Sequence, residues 1–319
     1  MAPVDATPRA KARADLVCDG QDDEVELLQS LQFARRYVVR HATAPSGHRK
    51  VTLPGRHTVE WLPGTYQLGH TLLLPDAADC AIKAQGTWFR YAAKTGDAIR
   101  TPGMLRCRYH LGTIESHSAG AAIRVTGTVD DDLGDPAHQT PCQMSVLSFT
   151  GLIGQHYRGT GLLLDNARPG GITVNRFTGT DIAGFHTGAR VTDASAGSKC
   201  DTNYFSFHFI RECRTCIYES GHRVDSNVWS VNVDATVAQG IAIRTAARYG
   251  KWEVIMGTYQ FEGQNRALLS DPGAAHNIIT MHPPLEQFAH RDRSGNETNV
   301  LLSAHRLKRL LQSTAPAAR

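Results

Sequence analysis

The chain has 319 residues, of which 41% are apolar and 20% charged, so a sizeable core is available and wholesale disorder is excluded. Its formal net charge of +4 is small and scattered, which gives no nucleic-acid footprint. No apolar run reaches membrane-spanning length, and seven widely spread cysteines do not make a disulfide scaffold.

Residues 1–15 carry charges but no apolar stretch of signal-peptide length, and they read as a flexible segment. The chain as given therefore reads as cytoplasmic or virion-associated. Residues 18–31, CDGQDDEVELLQSL, form a tight acidic turn running into an amphipathic helix. Asp22, Asp23 and Glu24 would charge its N-terminus, and Val25, Leu28 and Leu31 would form its apolar face. Residues 61–75, WLPGTYQLGHTLLLP, follow as a Pro-Gly turn flanked by strand-like residues.

Further along, short segments begin alike: NRFTG at Asn175, NYFSF at Asn203, NVWSV at Asn227, KWEVI at Lys251, NIITM at Asn277 and NVLLS at Asn299, with intervals of 28, 24, 24, 26 and 22 residues. A second register ends at Arg100, Val125, Leu164, Val191, Glu219, Arg244 and Ser270. Each period thus holds two alternating strands and no helix, which excludes βαβ folds, while a propeller blade needs about 40 residues. The pattern predicts an all-β parallel β-helix over residues 16–303, of about eight to ten coils, then a short basic helix and tail over 304–319. The N-terminal helix would cap the open end of the solenoid. The recurring Asn would occupy a left-handed corner and form a ladder of stacked amides.

The segments DGQDDEVELLQSL and LPGTYQLGHTLLLP together resemble the entry segment of the pectate-lyase-like right-handed parallel β-helix superfamily. They are also similar to those of bacterial and phage-tail β-helix proteins. The resemblance implies a single-stranded right-handed parallel β-helix with an N-terminal capping helix. For activity it implies a spread of lyases, hydrolases, transferases, epimerases and tailspikes. The polygalacturonase and calcium pectate lyase catalytic segments are not found, so no catalytic residue carries over by position.

Strand alternation places Phe205, Phe207 and Phe209 inside, aligned with Trp229, Val231 and Val233 and with Ile279 and Met281. It places His208, Asn232 and Thr180 outside on successive coils. Acids recur at the end of these strands: Glu115, Asp181, Glu212, Asp234 and Glu262. Coils stack at about 4.8 Å, so such carboxylates can take the spacings glycosidases use. Alternatively they are corner residues paired with Arg211 and Arg214. Arg100, Arg124, Arg190 and Arg244 form an outward row with Tyr218, suited to acidic sugars or to an ordinary solvated ladder. Tyr204, Trp252 and Tyr259 could stack on sugars or fill the core.

The leading expectation is a carbohydrate-active enzyme, lyase, hydrolase or transferase, with Asp181, Glu212, Asp234, Glu262 and His208 catalytic. Arg124, Arg190, Tyr218, Asn232 and Arg244 would bind substrate. The expected partner is an oligo- or polysaccharide, with no nucleic acid or membrane and with a homo-oligomer allowed. No organic cofactor motif is present and no metal site is assigned, although the aspartate-rich segment 128–141 leaves calcium open without EF-hand spacing. Cys213 and Cys216 read as ordinary buried side chains. The alternatives are a non-catalytic phage-tail or surface fibre module, and an intracellular enzyme acting on a small molecule in a closed pocket.

Overall fold

The computed structural model describes residues 1–36, 39–42, 51–54, 57–74, 77–101, 103–127, 142–166, 170–193, 198–221, 223–234, 237, 240–257, 266–282, 289–294 and 300–303. Beyond these lie Glu262, Tyr259, segment 128–141 and the C-terminal segment 304–319. The described chain is a parallel β-solenoid of about seven turns. Its hand is the one that crossovers between parallel strands take, right-handed. A 12-stranded and a nine-stranded sheet run along it, and a six-stranded sheet takes its strands from residues 77–225. About seven turns is fewer than the eight to ten expected.

The core is built by stacking like on like. Phe177, Phe205, Trp229 and Trp252 occupy one inward row, with consecutive ring centroids 5.2, 3.9 and 5.2 Å apart. Trp252 is therefore core, while Tyr204 is exposed. Cys213 and Cys216 are buried free thiols.

The asparagine ladder exists, but its left-handed residue is the one before each Asn. Val174, Thr202, Ser226 and His276 have φ of 58°, 56°, 53° and 56°. The amides then link coil to coil: Asn175 N–H and Nδ2 both donate to Asn203 Oδ1 at 3.1 Å, and Asn203 N–H donates to Asn227 Oδ1 at 3.0 Å. The same corner carries Cys80, Cys107 and Ser145 on earlier coils, each after a left-handed residue (Asp79, Arg106, Met144). Gly250, not Lys251, holds the Asn position in its coil, since Lys251 pairs with Val228. A side chain there would collide with Trp252 Nε1 at 2.6 Å and Asn277 Oδ1 at 2.8 Å.

The capping helix, Glu24–Arg36, lies where expected. Its anchor is Leu27, fully buried, with Leu28 and Leu31 packed beside it; Val25 is 49% exposed and faces away. Its acids are structural. Asp23 accepts from Gln67 N–H at 2.7 Å and Gly20 N–H at 3.0 Å, and Glu24 from His70 N–H at 2.9 Å. The helix is thus bolted to the first coil by carboxylate-to-backbone bonds as well as by apolar packing. Residues 1–15, read as flexible, are tied down at their start. Met1 and Ala2 are buried, and Ala2 bonds to Leu16 and Cys18.

Candidate functional site

The long sheet carries the outward side chains that line a groove. Alternation along Tyr204–Arg211 turns Phe205 and Phe207 inward, but then Ile210 rather than Phe209. The strand holds one residue more than Val228–Asp234 between its paired ends, so the register shifts between Phe207 and Ile210. His208 and Phe209 both turn outward as a result, and Phe209 is 40% exposed instead of buried. Their rings lie 4.3 Å apart.

A cavity of about 490 Å³ opens on this face. Thr178, Ser206, Ser230 and Glu253 line it on four successive strands, paired through the registers Thr178–Ser206, Ser206–Ser230 and Ser230–Glu253. Thr180, His208, Asn232 and Ile255 form its second row. The sequence-predicted neighbours Thr180, His208 and Asn232 therefore do share one site. Glu253 and the hydroxyl row Thr178, Ser206 and Ser230 are not among the residues singled out from the sequence. Glu253 stands in the same alternation and was the available signal.

The acids meet at the end of the same strands. Arg211 binds Asp181 through Nε–Oδ1 at 3.0 Å and Nη2–Oδ2 at 2.8 Å, and reaches Glu212 at 3.4 Å. Asp234 pairs with Arg211 in register and continues the outward series Ser230, Asn232, Asp234. Burial raises the Asp234 pKa; Arg211 opposes the rise and Glu212 adds to it. Its Oδ1 is buried with no hydrogen-bond partner among the described residues. Glu212 adopts φ 51° at the corner. The expected pairing of corner acids with arginine is thus met by Arg211, and it brings Asp181, Glu212 and Asp234 together. Glu115 lies apart. Burial raises its pKa, but bonds from Trp88 and His117 and the charge of Arg90 outweigh that and hold the carboxyl low.

The arginine row aligns as read but belongs to the nine-stranded sheet, on another face. Arg190 pairs with Tyr218, and Tyr218 with Arg244. Its members already have partners. Arg124 binds Asp97 and Asp165, Arg244 binds Asp271 at 2.6 Å, and Arg190 and Arg244 lie over the Tyr218 ring at 5.3 and 4.7 Å. Of the five expected substrate-binding residues, Asn232 alone lines the groove.

His156 and Tyr157, between Gly154 and Gly159, are consecutive left-handed residues that turn a coil corner. Two groups of acids beside the cap have metal-compatible spacing, Cys18–Asp23–Glu26 and Asp22–Glu24–His70. Asp23 and Glu24 already serve the backbone there. Among the described residues no helix is long and apolar enough to cross a membrane.

Fold and groove together define a parallel β-solenoid with a polar trough on its longest sheet. No family model matches the chain, and no curated protein does so either.

Proposed function

We propose that the chain is a carbohydrate-active enzyme that binds an oligo- or polysaccharide in the groove of the long sheet and acts on its glycosidic bonds. One observation carries the reading: a trough lined by hydroxyl, amide and imidazole groups reaches Asn232, and the next outward position on that strand is Asp234, a carboxyl group of raised proton affinity. Sugars present hydroxyls all round, and Thr178, Ser206, Ser230 and Asn232 offer matching donors and acceptors, repeated about every 4.8 Å by the coil spacing.

Asp234 is suited to be the general acid, since burial favours its protonated form. Asp181 is suited to be the base, its carboxylate held by the Arg211 fork. The two lie two strands apart, on the order of 10 Å along the stack, near the separation of inverting glycosidases. In that step Asp234 gives its proton to the leaving oxygen while Asp181 takes one from the attacking water. His208, on the strand between theirs and lining the groove, would position the sugar. For a uronate substrate it would instead remove the α-proton in an elimination.

The test is a panel of neutral, basic and acidic glycans assayed for new reducing ends and for the ultraviolet absorbance of unsaturated uronides. Reducing ends that vanish in Asp234→Asn support hydrolysis. Uronide absorbance that vanishes in His208→Ala supports elimination. Silence over the whole panel removes the glycan-cleaving reading.

A second observation favours a fibre module. Met144, Val174 and Tyr249 are exposed along the left-handed corner, and Tyr204 and Ile278 are exposed two positions on. Exposed apolar side chains recurring on one corner, among the polar Arg106, Thr202 and Ser226, can contribute to packing of copies side by side. Sedimentation tests it, since a trimer supports this reading and a monomer at high concentration opposes it.

A further inference from the structure

Beyond its lining the trough is continued by a hydrogen-bonded pair that the proposed glycosidic chemistry does not use. Lys83, His110, Ser148 and Thr178 stand in register on successive strands, and Thr178 is where the row enters the cavity. His110 and Ser148 are both half-buried, and Ser148 Oγ lies 2.6 Å from His110 Nδ1. With Nδ1 unprotonated, the serine hydroxyl donates along this short contact; its other acceptor, Tyr109 O, is at 3.4 Å. That is the spacing of a nucleophile and the base that activates it.

Two arginines flank the pair. Arg108 and Arg176 are exposed, and they pair in register with Val146 from its two sides. Val146 stands two residues before Ser148 on the same face. Diagonal neighbours on adjacent strands are about 7–8 Å apart, within the reach of an arginine side chain. Among the described residues no carboxyl group holds either guanidinium. Both are therefore placed to meet the oxygen on which charge collects when Ser148 attacks a carbonyl. Nor does any carboxyl group bond to His110 among the described residues. A base without that support suits an ester, whose alkoxide leaves more readily than the amine of an amide.

We infer that Ser148 and His110 form an acyl-transfer site that hydrolyses carboxylic esters, with Arg108 and Arg176 stabilising the oxyanion. Ser148 Oγ bonds to the acyl carbon while His110 Nδ1 takes its proton. The ester C–O bond then breaks, and the leaving alkoxide takes the proton from Nδ1. Water attacks the acyl-serine, its proton passing through His110 to Ser148 Oγ, and the carboxylic acid departs. With a glycan in the trough the ester is an O-acyl group on one of its hydroxyls, and that assignment alone rests on the carbohydrate reading.

The test treats the full chain with a fluorophosphonate, which labels serines activated by a base, and maps adducts by peptide mass spectrometry. An adduct on Ser148 is expected, together with turnover of p-nitrophenyl acetate. Ser148→Ala and His110→Ala should each lower that turnover by at least about a hundredfold, and Arg176→Gln by at least about tenfold. Circular dichroism and an unchanged melting temperature verify the variants, and the labelling of the unaltered chain needs no variant. An unlabelled Ser148 overturns the inference, as does turnover that survives in Ser148→Ala or His110→Ala. Acetate released from O-acetylated oligosaccharides, and lost in Ser148→Ala, supports the sugar ester. Labelling and turnover without such release overturn the sugar ester while the acyl-transfer site stands. Absence of glycosidic cleavage removes the carbohydrate reading and leaves the Ser148 adduct as an independent result.

Discussion

Arg211 grips Asp181 of the neighbouring strand at two points, Nε to Oδ1 at 3.0 Å and Nη2 to Oδ2 at 2.8 Å. The same guanidinium is the positive charge that opposes the rise in Asp234 proton affinity. One side chain therefore holds one acid in place and tempers another. Arg211→Gln should raise the Asp234 pKa further, because burial and Glu212 then act unopposed. Carboxyl chemical shifts followed through a pH titration measure this. A pKa that stays or falls contradicts the arrangement.

Glu219 lies fully buried in the core, accepting from Trp229 Nε1 at 2.8 Å and Asn227 Nδ2 at 3.0 Å. Burial raises its pKa from 4.5 to about 7. A raised acid binds its proton more tightly folded than unfolded, so stability is unaffected below pH 4.5, falls as pH rises, and levels off above about 7. The fall should total about 3 kcal/mol. Glu219→Gln keeps the acceptor and abolishes the slope, as urea midpoints at pH 5 and pH 8 would record. A wild-type protein equally stable at both would contradict it.

The amide ladder concentrates bonds on single residues. The Asn203 side chain accepts from Asn175 twice and donates to Ile172 O at 2.8 Å and Asn227 Oδ1 at 3.2 Å. Asn203→Ala would leave several buried backbone and amide groups unpaired and should cost about 3 kcal/mol in denaturant unfolding.

The residue before each Asn behaves in the opposite way. Val174 is β-branched, exposed and held at φ 58°. Val174→Gly relieves that conformation and should stabilise by roughly 0.5–1 kcal/mol despite removing a side chain. Destabilisation would mean that the corner is held by the valine itself.

Most of the fold was legible because a solenoid repeats its chemistry at a fixed period, and the capping helix stood out at its open end. What alternation could not deliver was phase. The outward pair His208–Phe209 arises from one extra residue relative to the next coil, and a period-two reading passes over it and buries Phe209. The Gly250 slip has another origin, since the ladder position there has lost its Asn where Trp252 and Asn277 occupy the space. In the site, His208, Asn232 and Asp181 were found by stacking coils. Glu253 was not, because its coil was aligned one residue late. The arginine row was aligned correctly, but sequence spacing does not tell which sheet faces the groove. Its aspartate partners come from other parts of the coils, and period alone does not bring them to mind.

The central claim is that sugar lies along the row Thr178, Ser206, Ser230 and Glu253. Ser230 is exposed on that row and points outward between the buried Trp229 and Val231, so Ser230→Trp fills the trough from the outward side. The most direct measurement is glycan cleavage by this variant beside the unaltered chain, with circular dichroism to verify the solenoid. The unaltered chain is expected to cleave, and the folded variant to lose that cleavage by at least about tenfold. Undiminished cleavage by a folded Ser230→Trp protein would contradict it.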